Sequence, residues 1–246
     1  MGNKDKFSAI HLPLGKLKLP PAGQVQLWFL DLRNLGSPLI ASNTTDKEQV
    51  LSPRHERTIR RFYLRLLLGA YLGVSGKDVK ISRMVKGKPV LDPKVHQHQF
   101  DFSSAGSNGC CLIGISTAGQ IGVDLEMSGR QAKNPASLVK RYFSVEEQER
   151  FAALEKDLFN DAFLHTWTCK EAVVKAAGHG IANQLCRFTV CIDPSREAQM
   201  LEMDGDEASE WKLSMVSPAQ GFVSCIALRH KSLQFEGFNL HPQNSG

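Results

Sequence analysis

The sequence predicts an α+β fold, and three observations carry that prediction. Two stretches, Ser52–Gly73 and Asp161–Gly178, show helical character with capping or stop residues at their ends. Short apolar runs cluster around them instead of alternating one strand with one helix, which separates α+β from a parallel α/β sheet. No run of about 18 uninterrupted apolar residues occurs, so no membrane-spanning segment is predicted.

Taken in order, residues 1–22 are polar, end in Pro20-Pro21 and read as an arm with little regular structure. Val25–Leu32 is an apolar strand, and residues 33–51, rich in Ser, Thr, Asn and Asp, read as a loop. Ser52 is a good N-cap, and Pro53 falls in the first turn, where its missing N–H costs nothing. Ile59, Phe62, Tyr63, Leu66 and Ala70 recur at three- and four-residue steps and predict the buried stripe of that helix, which Gly73 ends. Arg57, Arg61 and Arg65 lie four apart on another face. Asp78–Val85, a turn at Gly87-Lys88-Pro89, and strands at Phe100–Ser103, Cys110–Ser116 and Gln120–Met127 follow. After residue 135 the spacing turns helical. Ser144 and Glu147 form an S-x-x-E capping box for a helix running to about Leu154. The longest helix is Asp161–Ala177, stopped by Gly178 and Gly180. Strands are predicted at Arg187–Ile192, Trp211–Val216, Gly221–Leu228 and Leu233–Phe238. The chain therefore divides into an arm (1–23), an N-terminal α+β half (24–119) and a C-terminal α+β half (120–240).

Charge is divided unevenly. Residues 1–120 carry 17 basic and 8 acidic side chains, whereas residues 121–246 carry 13 and 17. A basic half attracts polyanions, and an acidic half can hold a metal. No basic tail or nucleic-acid signature accompanies the bias, so a phosphorylated small molecule explains it as well as a nucleic acid does. The six cysteines show no C-x-x-C pair and read as reduced thiols. The opening MGNKDKFS lacks an apolar signal region, and Lys6 stands where a myristoylation signal requires Ser or Thr. A soluble, cytoplasmic protein is the expectation.

Two clusters could carry chemistry. In Gly122-Val123-Asp124-Leu125-Glu126, a strand directs Asp124 and Glu126 to one face. Two like charges side by side call for a cation, and a hard ion such as Mg²⁺ takes carboxylates, waters and phosphate oxygens. A solvent-facing acidic pair is the plain alternative. In Trp167-Thr168-Cys169-Lys170-Glu171-Ala172-Val173-Val174-Lys175, a helix places Trp167, Glu171 and Lys175 along one face. An ordinary ion pair with a core tryptophan explains that spacing equally. His96-x-His98 has no third ligand nearby, His179 reads as a helix-end residue, and Glu147 is accounted for by its capping box.

The order of these clusters, with RYFSVEE between them, a GKP turn and an arginine-bearing helix upstream, resembles the 4′-phosphopantetheinyl transferases of the surfactin-synthetase type, cyanobacterial members included. IGVDLE, RYFSVEE, GKP and above all WTCKEAVVKAAGHGI carry the resemblance; VQLWFLDL and LRLLLGAYLGV fit it. It spans about residues 24–230. The resemblance implies a monomeric pseudo-dimer of two similar α+β halves with the active site in the cleft between them. The implied reaction moves 4′-phosphopantetheine from coenzyme A to a serine of an apo acyl or peptidyl carrier protein. It further implies Asp124, Glu126 and Glu171 as Mg²⁺ ligands, Glu171 as general base and Lys175 at the pyrophosphate. Lys88, Ser103, Ser104 and either Arg57 or Arg61 become coenzyme A contacts, and the segment 128–140 with the helix near Ser144 becomes the carrier docking surface.

The chain departs from the family pattern N-[LI]-S-H-S at residues 101–105, where it reads Asp101-Phe102-Ser103-Ser104-Ala105. Serine in place of histidine cannot carry charge, which predicts a weaker hold on the 3′-phosphate of coenzyme A. Two rivals stay open: a degenerate module that binds coenzyme A or carrier without turnover, and another Mg²⁺-dependent enzyme acting on phosphate esters.

Overall fold

Alternation along one central strand organises the molecule. In β2 (Gln24–Asp31), Trp28 and Leu30 enter one hydrophobic cluster while Val25, Leu27 and Phe29 enter another. A strand sends successive side chains to opposite faces, so its sheet is buried on both sides. The computed structural model describes residues 7–36, 51–85, 87–97, 100–178 and 184–243.

That sheet has five strands in the order β1-β12-β2-β6-β5. They are β1 (Phe7–His11), β2, β5 (Asp101–Ser107), β6 (Cys110–Ser116) and β12 (Gln234–His241). β12 runs parallel to both β1 and β2, whereas β6 is antiparallel to β2 and β5. A second sheet, all antiparallel, is ordered β10-β11-β7, with β7 at Ile121–Met127, β10 at Trp211–Val216 and β11 at Phe222–Arg229. Two-stranded ribbons join β3 (Ile81–Arg83) to β4 (Pro89–Leu91) and β8 (Phe188–Val190) to β9 (Met200–Met203).

The layers follow from the clusters. Helix α2 (Pro53–Leu72) covers the outer face of the large sheet through Ile59, Tyr63, Leu64, Leu67, Leu68 and Tyr71. The inner faces of the two sheets meet around Leu27, Leu112, Val123, Leu125 and Ile226. Helix α5 (Lys156–Ala176) covers the outer face of the small sheet through Cys169, Ala172, Val173 and Ala176. Short helices α1 (Leu32–Gly36), α3 (Pro135–Tyr142) and α4 (Val145–Ala152) complete the described elements. The α+β class is as predicted.

Differences from the sequence reading have identifiable causes. Residues 7–11 form a strand because β12 supplies a parallel partner, and Leu32–Gly36 is helical where a loop is predicted. The buried stripe of α2 runs through 59, 63, 64, 67, 68 and 71, leaving Phe62 45% exposed and Leu66 and Ala70 half-buried. Helix α5 begins five residues earlier than predicted. His98, Gln99, His179, Gly180 and most of the predicted 33–51 loop lie outside the described residues.

Candidate active site

Gly122 sets the geometry. On β7, residues 122, 124 and 126 face α5, while Ile121, Val123 and Leu125 enter the core between the sheets. A Cβ at Gly122 would collide with the carbonyl oxygen of Ala172 and come within 2.5 Å of the Ala176 nitrogen. The bare glycine therefore lets the helix backbone lie directly on the strand. Residues 171 and 175 flank that contact on α5, so their side chains arrive beside Asp124.

The sequence-predicted residues meet there. Lys175 Nζ donates to Asp124 Oδ1 at 2.6 Å and stands 3.7 Å from Glu171 Oε2. Glu126 Oε2 accepts from Arg130 at 2.6 Å and from the Ser107 hydroxyl at 3.2 Å. Asp124, Glu126 and Glu171 are all buried. Asp124 Oδ2 is a buried oxygen with no hydrogen-bond partner among the described residues. An ionised oxygen left so is costly, and burial raises the Asp124 carboxyl above its ordinary value despite the opposing Lys175 ammonium. Burial likewise raises Glu171, and the nearby charges of Asp124 and Glu126 push the same way. Burial alone would lower Lys175, yet Asp124 and Glu171 outweigh it and raise that ammonium.

As they stand, no three His, Cys, Asp or Glu side chains among the described residues are gathered as a metal cage. Lys175 holds Asp124, and Arg130 holds Glu126. The donor set nonetheless fits a hard cation. It comprises three buried carboxylates, with burial raising Asp124 and Glu171, and one buried oxygen that has no partner among the described residues.

The remaining predicted residues fall in several places. Lys88 is buried, and its Nζ bonds Asp101 Oδ2 at 2.5 Å and the Ile121 carbonyl at 3.1 Å. Asp101 also accepts from the Ile121 N–H at 2.8 Å, and the Ser103 hydroxyl accepts from Val123 N–H at 3.1 Å. These side chains of β5 thus satisfy the edge of β7. Ser104, half-buried, faces the opposite side of β5. Arg57 and Arg61 are exposed. Trp167 stacks on Phe163, with ring centroids 5.8 Å apart. His96 accepts the Lys80 N–H, a structural task.

Two charged residues escape the sequence reading. Lys170 is fully buried and pairs with Glu147 at 2.7 Å. Glu147 keeps its capping-box role as well, so α4 and α5 are tied through one carboxylate. Arg60 of α2 lies over Gly106 of β5, its Nη1 2.6 Å from where a Cβ would stand. The doublet Lys170-Glu171 and the three arginines within residues 57–61 carry these signals, but spacing alone does not say which member points inward.

A family model described as the 4′-phosphopantetheinyl transferase superfamily matches residues 120–227. The chain is 30% identical over 214 residues to the 4′-phosphopantetheinyl transferase HetI of Nostoc sp., covering 83% of this chain and 87% of that one. It is 28% identical over 193 residues to the 4′-phosphopantetheinyl transferase Sfp of Bacillus subtilis, covering 72% of this chain and 82% of that one. A human L-aminoadipate-semialdehyde dehydrogenase-phosphopantetheinyl transferase is 24% identical over 183 residues, covering 69% of this chain and 59% of that one.

Proposed function

The chain belongs to the 4′-phosphopantetheinyl transferase family, and from that premise we propose that it transfers 4′-phosphopantetheine from coenzyme A to a serine of an apo acyl or peptidyl carrier protein. The observation that carries this reading is the junction of β7 and α5. There Lys175 stands between Asp124 and Glu171, beside an acidic oxygen that has no hydrogen-bond partner among the described residues.

The reaction exchanges a phosphoanhydride bond of the donor for a phosphodiester bond to the acceptor serine. The serine hydroxyl oxygen bonds to the phosphorus next to pantetheine, and the bond from that phosphorus to the oxygen bridging to the second phosphate breaks. The leaving group is 3′,5′-ADP. Glu171, whose carboxyl is raised by burial, accepts the hydroxyl proton, directly or through water. Lys175 faces the pyrophosphate and steadies the charge that develops on the leaving oxygen. Asp124, Glu126 and Glu171 would hold Mg²⁺, which supplies charge neutralisation at the pyrophosphate when bound. Arg130, 54% exposed, pairs with Glu126 from the solvent side of the site.

A helix on each sheet, α2 on the five-stranded one and α5 on the three-stranded one, supports reading the chain as a pseudo-dimer divided at about residues 119 and 120, with β12 of the second half returning to the first sheet; we read it as a monomer. No helix among the described residues is long and apolar enough to cross a membrane, and we place the protein in the cytoplasm. Incubation with coenzyme A, Mg²⁺ and apo carrier proteins, read by intact-protein mass spectrometry, tests the assignment. Phosphopantetheine on the carrier serine is the predicted product. Binding of coenzyme A without any modified carrier would favour the non-catalytic module instead.

A further inference from the structure

The two cations of the candidate site are held in different ways. Lys175 stands on α5, 28% exposed and within reach of both Asp124 and Glu171. Arg130 arrives from outside. Strand β7 ends at Met127, and a turn closed by the Arg130 N–H on the Met127 carbonyl at 3.2 Å folds the chain back. Gly129 permits that turn, because its φ of +74° lies in the left-handed region. The turn is anchored in addition by the Ser128 N–H, which donates to the Gly221 carbonyl at 2.8 Å. Residue 130 is thereby set over residue 126, whereas an extended strand would place it about 13 Å away. The guanidinium meets Glu126 at 2.6 Å, with the arginine side chain 54% exposed and the carboxylate 10%.

Glu126 Oε2 accepts from two donors, Arg130 and the Ser107 hydroxyl. Ser107 is neutral, and a neutral donor can stay on a carboxylate that also ligates a cation. A guanidinium is different, because its full charge repels an incoming cation. Packing does not hold it there either. A cavity of about 70 Å³ lies beside the pair, lined by both residues and by Ala132, Leu138, Phe163 and Trp167. Charge identifies Arg130 as the surplus member of the set. Three carboxylates with Lys175 and a divalent ion sum to neutrality, and without the ion Arg130 supplies part of the missing charge. Resting on the metal-dependent transferase reading above, we propose that Arg130 is the counter-cation of the ion-free site. It neutralises the buried Glu126 until a divalent ion replaces it, and so sets how tightly that ion binds. Ser107 is the positioning residue that keeps Glu126 in place through the exchange.

Titration of Mn²⁺ into the full chain without coenzyme A, read by water-proton relaxation, tests this apart from catalysis. Arg130→Gln should bind Mn²⁺ about fivefold more tightly, the worth of an exposed ion pair that the metal no longer has to break. Arg130→Lys keeps the charge and should stay within about twofold of the unmodified chain. Ser107→Ala should bind no more tightly than the unmodified chain. Thermal unfolding gives an independent reading, in which Mn²⁺ raises the midpoint of Arg130→Gln by more than that of the unmodified chain. Equal Mn²⁺ affinity in Arg130→Gln would overturn the proposal. Weaker affinity would also overturn it, by making the arginine a support of the ligand, and so would equal tightening in Arg130→Lys. Mn²⁺ binding by none of these chains would sink the metal-ligand reading itself. Binding that Asp124→Asn abolishes and Arg130→Gln leaves unchanged would sink this inference alone.

Discussion

Lys170 and Glu171 are neighbours on α5 and belong to two opposite kinds of ionic site. Lys170 and Glu147 are both fully buried. Lys170 Nζ reaches Glu147 and the Phe188 carbonyl at 2.6 Å, while Glu147 also accepts from the Ser144 and Val190 N–H groups. Both partners are surrounded, so this pair ties α4, α5 and β8 and leaves nothing for a ligand. Across the helix, Asp124, Glu171 and Lys175 form an incomplete set, with Lys175 28% exposed and Asp124 Oδ2 without a partner among the described residues. Similar residue types thus give a closed structural joint on one side and a site with spare valence on the other. Completeness of the hydrogen bonding, more than burial or charge, separates them.

Four substitutions can break or sharpen that contrast. The largest effect is expected for Glu171→Gln, which removes the proposed proton acceptor and should slow carrier modification about 10²–10⁴-fold. Its urea unfolding curve should stay near that of the unmodified chain. Next, Lys170→Met strands the Glu147 carboxylate and should cost about 3–5 kcal/mol in unfolding free energy. Retained stability there would erase the distinction between the two sites.

Gly122→Ala puts a methyl against the Ala172 carbonyl. Overpacking of that kind costs about 1–3 kcal/mol, and prising α5 from β7 should also lower the transfer rate in the folded protein. The smallest effect belongs to an exposed pair. Arg229 holds the Asp206 carboxyl well below the usual range, yet the arginine is 50% exposed. Asp206→Asn should cost at most about 1 kcal/mol near neutral pH. Because a depressed carboxyl contributes stability above its unfolded pKa and loses it as pH falls through the folded one, the gap should close only in strong acid. Chemical denaturation across pH measures it.

Much of the site was legible because its two parts obey short periods. Period two put Asp124 and Glu126 on one face of β7, and the four-residue step put Glu171 beside Lys175 on α5. The capping box at Ser144 was equally local, and β6 and β10 end where their apolar runs end. What escaped depends on distant partners. Strand β1 exists because Phe7–His11 pairs with Gly237–His241, at the other end of the chain. Phe62 fits the stripe by spacing, yet the sheet beneath α2 selects 59, 63 and 67. Arg60 differs from Arg57 and Arg61 only in what it faces, which no helical period reveals. Lys170 sits within the family-like block, but its burial arises from Glu147 and Phe188, 23 and 18 residues away.

The proposed transferase reading has the carboxylates beside Lys175 receive a divalent ion together with the donor pyrophosphate. Binding of Mn²⁺ as a paramagnetic stand-in for Mg²⁺, followed by water-proton relaxation with coenzyme A present, tests it most directly. The unmodified chain should bind the ion at one site, Lys170→Met should keep that site in its folded fraction, and Asp124→Asn should lose it. Equal Mn²⁺ binding by Asp124→Asn and the unmodified chain would contradict the account.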